Sequence, residues 1–336
     1  MSNVDHPSPK KGIFSALSAF AIFAGHDALV KTLGGSYAPV QIVFFSVLFG
    51  FPTILFVLLN DKTHGTLRPV HLGWTIVRTC ATVLTAGTVF YAFANLPLTE
   101  TYAILFATPL IITLLSVPIL GEKVRLRRWM AVLVGLSGVI VVLQPGETEL
   151  TLGHFAAMTA ACGSALAAII VRKIGQDERS VVLILYPMLA NFLVMGSMLP
   201  FFYKPMPIED LGLLALTAVA AAVAGYFLIF AYRSTEAVLI APMQYSQIIW
   251  ATGFGIVFFN EQPTPNVGIG AAIIIASGIY ILWRESRGDT SPTKPFLGSF
   301  YTRQQIGTSL RTGMHFGKTK KKAAGKKSKS KANQPQ

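Results

Sequence analysis

The stretch Tyr91-Ala92-Phe93-Ala94-Asn95-Leu96-Pro97-Leu98 leads into an apolar run, then Gly121-Glu122, then a segment closing on Ser137-Gly138-Val139. The chain writes this order a second time. Phe230-Ala231-Tyr232-Arg233-Ser234-Thr235-Glu236-Ala237 is followed by an apolar run, Asn260-Glu261 and Ser277-Gly278-Ile279. The offset between the copies holds at 139 to 140 residues throughout. Their loops differ in charge. After Glu122 comes Lys123-Val124-Arg125-Leu126-Arg127-Arg128, whereas Glu261 is followed by Gln262-Pro263-Thr264-Pro265-Asn266, without a base. Basic loops stay in the cytoplasm, so equivalent loops belong on opposite faces of a membrane. An inverted repeat at membrane depth is an architecture of transporters.

Composition agrees with the bilayer setting. Of 336 residues, 52% are hydrophobic and 13% charged, where a soluble domain carries about 25% charged residues. Mean hydropathy is +0.56. With roughly 20 apolar residues needed per crossing, ten candidate spans emerge. They are Phe14–Leu33, Pro39–Leu59, Trp74–Ala94, Thr101–Leu120, Trp129–Leu143, Leu152–Val171, Val181–Phe202, Leu211–Ala231, Ala237–Phe259 and Val267–Leu282. The fold expected is all-α integral membrane, ten transmembrane helices as two inverted five-helix repeats. Five is odd, so the second copy must enter the membrane the other way up.

The positive charges set the expected orientation. With the N-terminus inside, Lys10, Lys11, Lys62, Arg68, Arg172, Lys173, Arg179, Arg233, Arg284, Arg287 and the 123–128 bases all flank one face, and the opposite loops hold Lys204 and little else. Both termini are therefore expected in the cytoplasm, with the protein in a bacterial inner membrane. The chain divides into a cytoplasmic segment 1–12, repeats 13–145 and 151–285, and a tail 286–336. The first span runs too long for a cleaved signal and carries His26, Asp27 and Lys31, so it reads as retained. Cys80 and Cys162 fall inside spans without metal-ligand spacing and read as small apolar fillers. The tail ends in a lysine run, Lys318 to Lys331, without an acidic residue. Such a run is expected to be disordered and to be drawn to anionic lipid by about 1 kcal/mol per nearby lysine. Nucleic acid is not an expected partner, because the run lacks interleaved aromatics. A homodimer is left open.

The segment from Arg78 to Pro145 resembles the EamA repeat of the drug/metabolite transporter superfamily. The features that carry the resemblance are Arg78-Thr79, Phe90-Tyr91-Ala92, Asn95-Leu96-Pro97-Leu98-Thr99, Phe106-Ala107-Thr108-Pro109-Leu110, Leu120-Gly121-Glu122, Arg127-Arg128-Trp129, Gly135 and Ser137-Gly138-Val139. With the weaker second copy it covers residues 13 to 285. The sequence departs from the pattern at Ser46 and at Ile248, which stands where the offset would place a partner for Pro109. The resemblance implies a carrier of a small organic metabolite with its cavity between the halves.

Polar groups inside the spans nominate the site. An ionised group at bilayer centre must be paired or hydrated. Asp27 and Lys31 are four apart on one helix face, so they either neutralise each other near the interface or line a cavity. Asp27 with His26 is the candidate coupling pair. Arg78 is a candidate for attracting an anionic group or for pairing with Asp27. Glu100 opens a helix, where it meets the dipole favourably. Glu122 is expected to bridge to Arg127 or Arg128, and His154 to face the outer interface. The fourth and ninth spans are equivalent in the two copies, and Tyr102 on one with Gln244, Tyr245, Gln247 and Trp250 on the other, together with Arg78, are the candidate substrate-binding residues. Asn191 is a weaker candidate.

Signatures of metalloproteases, serine hydrolases, P-loops and dinucleotide folds are absent. No cofactor, metal or enzyme activity is expected. Two other classes remain: an intramembrane enzyme using His26 and Asp27 as acid and base, and a scaffold recruiting partners through its basic tail. Turnover in detergent would mark the enzyme, and loss of function on deleting 288–336 the scaffold.

Overall fold

A computed structural model describes residues 9–59, 67–122, 126–145, 149–175, 177–234 and 237–286. The bases at 123–125 and the lysine-rich tail lie outside the described residues. The described chain is helical: α1 (Pro9–Gly34), α2 (Pro39–Leu59), α3 (Leu72–Asn95), α4 (Leu98–Leu105), α5 (Thr108–Leu120), α6 (Leu126–Leu143), α7 (Leu152–Ile174), α8 (Ser180–Phe202), α9 (Ile208–Ser234), α10 (Ala237–Ile240), a 3₁₀ turn (Ala241–Ser246), α11 (Gln247–Phe259) and α12 (Pro265–Ser286). Among the described residues, eight helices are long and apolar enough to cross a membrane.

The ten expected crossings are present, and two of them are interrupted. The fourth is built from α4 and α5, with the break at Phe106-Ala107. The ninth is built from α10, the 3₁₀ turn and α11. Phe106 and Tyr245 stand 139 apart in sequence, and both lie at the interruption of their own crossing. Thr108-Pro109 starts α5, with proline where a missing N–H costs nothing. Gln247-Ile248 starts α11 at the same place without a proline, so the interruption does not depend on that residue. A tightened 3₁₀ stretch replaces it.

The ends of the two broken crossings match as well. Gly121 (φ 70°) and Asn260 (φ 52°) are both left-handed C-caps, a conformation glycine and asparagine tolerate. The next residue then bonds back over six positions: the Glu122 N–H to the Ser116 carbonyl at 3.3 Å and the Glu261 N–H to the Gly255 carbonyl at 3.0 Å. This fixes the direction of both carboxylates.

Contacts place the helix ends at two poles. Lys31 of α1 reaches Leu96 after α3, while a Cβ on Gly153 at the start of α7 would meet Leu96. The other pole gathers the start of α3 and the end of α7, where Lys173 stands 4.1 Å over the Trp74 ring. The C-termini of α1 and α7 thus point to opposite poles, as an inverted repeat requires.

Small residues let the helices close up. A methyl group on Gly270 of α12 would lie 2.6 Å from the Gly138 carbonyl oxygen of α6 and 2.5 Å from a Val142 methyl. Ser277 Oγ on α12 donates to the Ala131 carbonyl at 2.5 Å. With no hydrophobic drive between helices in lipid, such close approach carries the association. Cys80 and Cys162 depart from expectation: both are exposed on helix surfaces rather than filling gaps. Gly270→Val should lower the thermal midpoint in detergent, in keeping with overpacking costs of about 1–3 kcal/mol. An unchanged midpoint would refute the close α6–α12 contact.

Candidate functional site

At the first pole, Lys31 does not pair with Asp27. Its Nζ lies 2.9 Å from Glu261 Oε1 and donates to the Leu96 carbonyl at 2.5 Å. The second carboxylate oxygen of Glu261 accepts the N–H of Leu98, the first residue of α4, at 2.9 Å. A carboxylate at a helix N-terminus satisfies an orphan donor and meets the positive end of the dipole. Gly255 makes room, since a Cβ there would stand 2.6 Å from Glu261 Oε2. One acidic side chain of the second repeat therefore holds α1 and α4 of the first. Spacing within α1 suggested the wrong partner because the real one arrives from 230 residues away.

Beside this clasp, Glu100 of α4 meets His154 of α7, with His154 Nε2 2.7 Å from Glu100 Oε1. Local structure orients the ring. Thr151 caps α7, and His154 takes the place of the acidic residue of a capping box, its Nδ1 accepting the Thr151 N–H at 3.0 Å. With Nδ1 occupied as acceptor, the neutral ring carries its proton on Nε2 and donates to Glu100. His154 is buried, not turned to an interface as the sequence suggested.

At the opposite pole, Glu122 Oε1 pairs with Arg172 Nη2 at 2.5 Å, not with Arg127 or Arg128. Arg128 donates instead to Thr113 Oγ1 at 3.1 Å. Lys173 donates to the Ile119 carbonyl at 2.9 Å. Glu178 accepts the backbone N–H of His71, ahead of α3, at 2.6 Å. Glu122 and Glu261 are repeat equivalents, and Lys31 and Arg172 close the corresponding ends of α1 and α7. Each repeat thus supplies the acid at one pole and the base at the other.

Between the poles lies a buried polar centre. Asp27, 2% exposed, has His26 Nδ1 2.8 Å from Oδ1, and its Oδ2 accepts the Tyr102 hydroxyl. Rings continue from there: Phe93 to Tyr102 at 5.7 Å, Tyr102 to Phe106 at 5.8 Å, and Phe106 to Tyr245 edge-on at 5.1 Å. Phe106 and Tyr245 are repeat equivalents in contact with each other, which marks the pseudo-twofold axis. A Cβ on Gly278 would overlap the Tyr245 hydroxyl, so glycine is what admits that ring. Thr99 and Thr252 join α4 to α11 across 3.0 Å.

The candidate residues separate accordingly. Asp27, His26, Tyr102, Tyr245 and Gln247 are buried, and Gln244 is half-buried. Trp250 is displaced from the group, 43% exposed, because the buried stripe of α11 runs through Gln247, Ala251 and Gly255 and Trp250 flanks it. Arg78 does not meet Asp27; it is buried and donates to the Leu183 carbonyl of α8. Asn191 is buried on α8, its amide nitrogen on the Pro187 carbonyl at 2.9 Å. Sequence reasoning missed the Lys31–Glu261 and Glu122–Arg172 pairs, although the signal was present: both glutamates are repeat equivalents after a left-handed cap.

A family model described as the EamA-like transporter family matches the chain twice, over residues 10–144 and 151–283. The chain is 25% identical to a pseudopaline exporter of Pseudomonas aeruginosa over 272 residues, covering 80% of this chain and 95% of that protein. It is 26% identical to an S-adenosylmethionine uptake transporter of Rickettsia prowazekii, covering 79% and 90% respectively. To a riboflavin transporter of Vibrio cholerae it is 27% identical, covering 76% and 92%. A solved crystal structure shares the fold at TM-score 0.56 and 19% identity, covering 84% of this chain and 100% of that one. Repeat, helix count and relatives describe one multi-pass membrane protein of the small-molecule transporter kind, and the chain belongs to the EamA-like transporter family.

Proposed function

We propose that the protein is a secondary carrier of a small organic molecule, working by alternating access across a bacterial inner membrane with both termini in the cytoplasm. One observation carries the reading: the two reciprocal ion pairs, Lys31–Glu261 at one pole and Arg172–Glu122 at the other. Each joins the two repeats, and the two lie at opposite poles of the bundle. Opening the first pole separates Lys31 and the α4 N-terminus from Glu261. Opening the second separates Arg172 from Glu122. Neither pole is an independent lock, because the acids and bases come from both halves. Rocking one half against the other relaxes one clasp while keeping the other, the motion expected of inverted repeats around a midplane site.

His26, Asp27, Tyr102, Tyr245 and Gln247 form the wall of that site in this reading, with Asp27 as the group that takes up the coupling proton. Tyr102 links it directly to the broken α4–α5 crossing. The relatives are named for three different molecules, so the identity of the cargo is sought in this chain's own residues.

Three measurements test the proposal. Reporter fusions should read the Arg172 pole, including the 122–128 loop, as cytoplasmic; an external reading there reverses the orientation. Removing Glu122 (Glu122→Gln) or Arg172 (Arg172→Gln) singly takes the partner of this ion pair from a mostly buried charge. The double variant should therefore be less destabilised than the two effects added, by about 0.5–3 kcal/mol. Additive effects would show that the pair is not a clasp.

The third concerns Asp27→Asn in sealed proteoliposomes. The change keeps size and hydrogen-bonding capacity and removes the proton-binding charge. Accumulation driven by a pH gradient should vanish while exchange at equal pH survives. Undiminished gradient-driven accumulation would remove Asp27 from the coupling role.

A further inference from the structure

Arg78 lies in the second turn of α3, about 9 Å along the axis from Leu72 at 1.5 Å per residue, and is 5% exposed. A local reason brings it there. Pro187 in α8 has no N–H to return to the carbonyl four residues earlier, which is that of Leu183. Arg78 Nη1 donates to that carbonyl oxygen. Membrane helices tolerate an interior proline where another group satisfies the freed carbonyl. Arg78 does so with one of five donors. Its Nε, buried, has no hydrogen-bond partner.

A neutral carbonyl needs a donor, not a charge. A guanidinium stays charged at any physiological pH, and an unpaired charge inside a membrane protein is costly. Three other charges inside the bundle have charged or hydroxyl partners, Asp27 with His26 and Tyr102, Lys31 with Glu261 and Arg172 with Glu122, while the buried Glu178 accepts the His71 N–H. Among the described residues no ion pair includes Arg78, which leaves a buried cation held only by a backbone oxygen. Two more unanswered polar atoms lie on the adjoining helices. Asn191 Oδ1 on α8, two turns beyond Leu183, is buried without a partner. So is Ser164 Oγ on α7, whose neighbour Gly163 packs on Ala81 and Thr85, the turns of α3 that follow Arg78.

We infer that Arg78 is the anchor for an anionic group of the transported molecule, a carboxylate or phosphate, with Asn191 and Ser164 left for its polar remainder. This rests on the carrier reading and narrows it: the cargo is a small organic anion, or a molecule with an anionic end. The incoming oxygens supply the counter-charge that the protein omits. Arg78 fits this role by its planar fork of donors, which matches two oxygens of such a group.

The test uses the full chain in neutral detergent at constant ionic strength, with succinate and inorganic phosphate as minimal anions and succinamide as the uncharged control. The thermal midpoint should rise with succinate or with phosphate, the arm that responds naming the group, and not with succinamide. Arg78→Gln should weaken that response at least tenfold in concentration, while Arg78→Lys should retain part of it. Without added anion, Arg78→Gln keeps a donor for Leu183 and loses the unpaired charge, so its midpoint should match or exceed that of the unaltered protein. No response to either anion, an undiminished response in Arg78→Gln, or a lower anion-free midpoint in that variant would each overturn the assignment. Vectorial accumulation in sealed vesicles separates the two claims. Anion binding lost with Arg78 but without accumulation leaves the anchor and removes the carrier. Accumulation indifferent to Arg78 does the reverse.

Discussion

In a bilayer every backbone N–H and C=O must find a partner inside the protein, and this constraint decides where the molecule can be irregular. Both departures from continuous helix within a crossing occur at the centre of the bundle, at Phe106-Ala107 and over Ala241–Ser246. There they are enclosed by α1, α7 and each other. The irregular backbone brings Tyr102 and Tyr245 to the axis, and it divides each crossing into two short helices with their own ends. The proline in α8 obeys the same rule. Its freed carbonyl is answered by a buried arginine, so a backbone requirement is met by a charged side chain.

The clasps at the poles follow from the broken crossings as well. Each broken crossing ends in a left-handed cap followed by a glutamate, and the cap fixes where that glutamate points. Glu261 closes on Lys31 and on the N-terminus of α4 at once. Separating the halves at that pole therefore also removes the acidic group that stabilises the helix carrying Tyr102. The pole and the polar centre are linked through α4, a helix of eight residues, which is short enough to tilt as a unit.

Much of this was legible in the residues alone. The 139-residue offset gave the repeat, the inversion and the count of crossings, because hydrophobic length and glycine caps are local properties. Asp27, Tyr102 and Gln247 stood out because polar atoms are rare in such helices. Partners were not legible. Lys31 and Asp27 share a face of α1, yet the pair that forms depends on Glu261, whose approach is set by the packing of two distant repeats. His154 looked like a surface residue because its position near a helix start says nothing of Glu100 across the interface. Trp250 looked like cavity wall because it supplies aromatic surface near the glutamines, but the buried stripe of α11 runs through Gln247, Ala251 and Gly255 and leaves it to one side.

The symmetry of the frame and the asymmetry of its contents belong to one arrangement. Caps, glutamates and pole bases recur in both halves, while the charges between the poles do not. By the 139- to 140-residue offset Asp27 corresponds to Leu166 or Ala167, and Arg78 to Thr217 or Ala218. Equal halves give two states of comparable energy, which a carrier needs if either pole is to open. A polar centre duplicated with equal fidelity would place a second buried acid and a second buried arginine in the same space, and each would need its own counter-charge. One half has kept the chemistry and the other has kept neutral residues opposite it. In the proposed carrier, the motion is then a property of the repeat, and the buried charges that face the cargo a property of the first repeat.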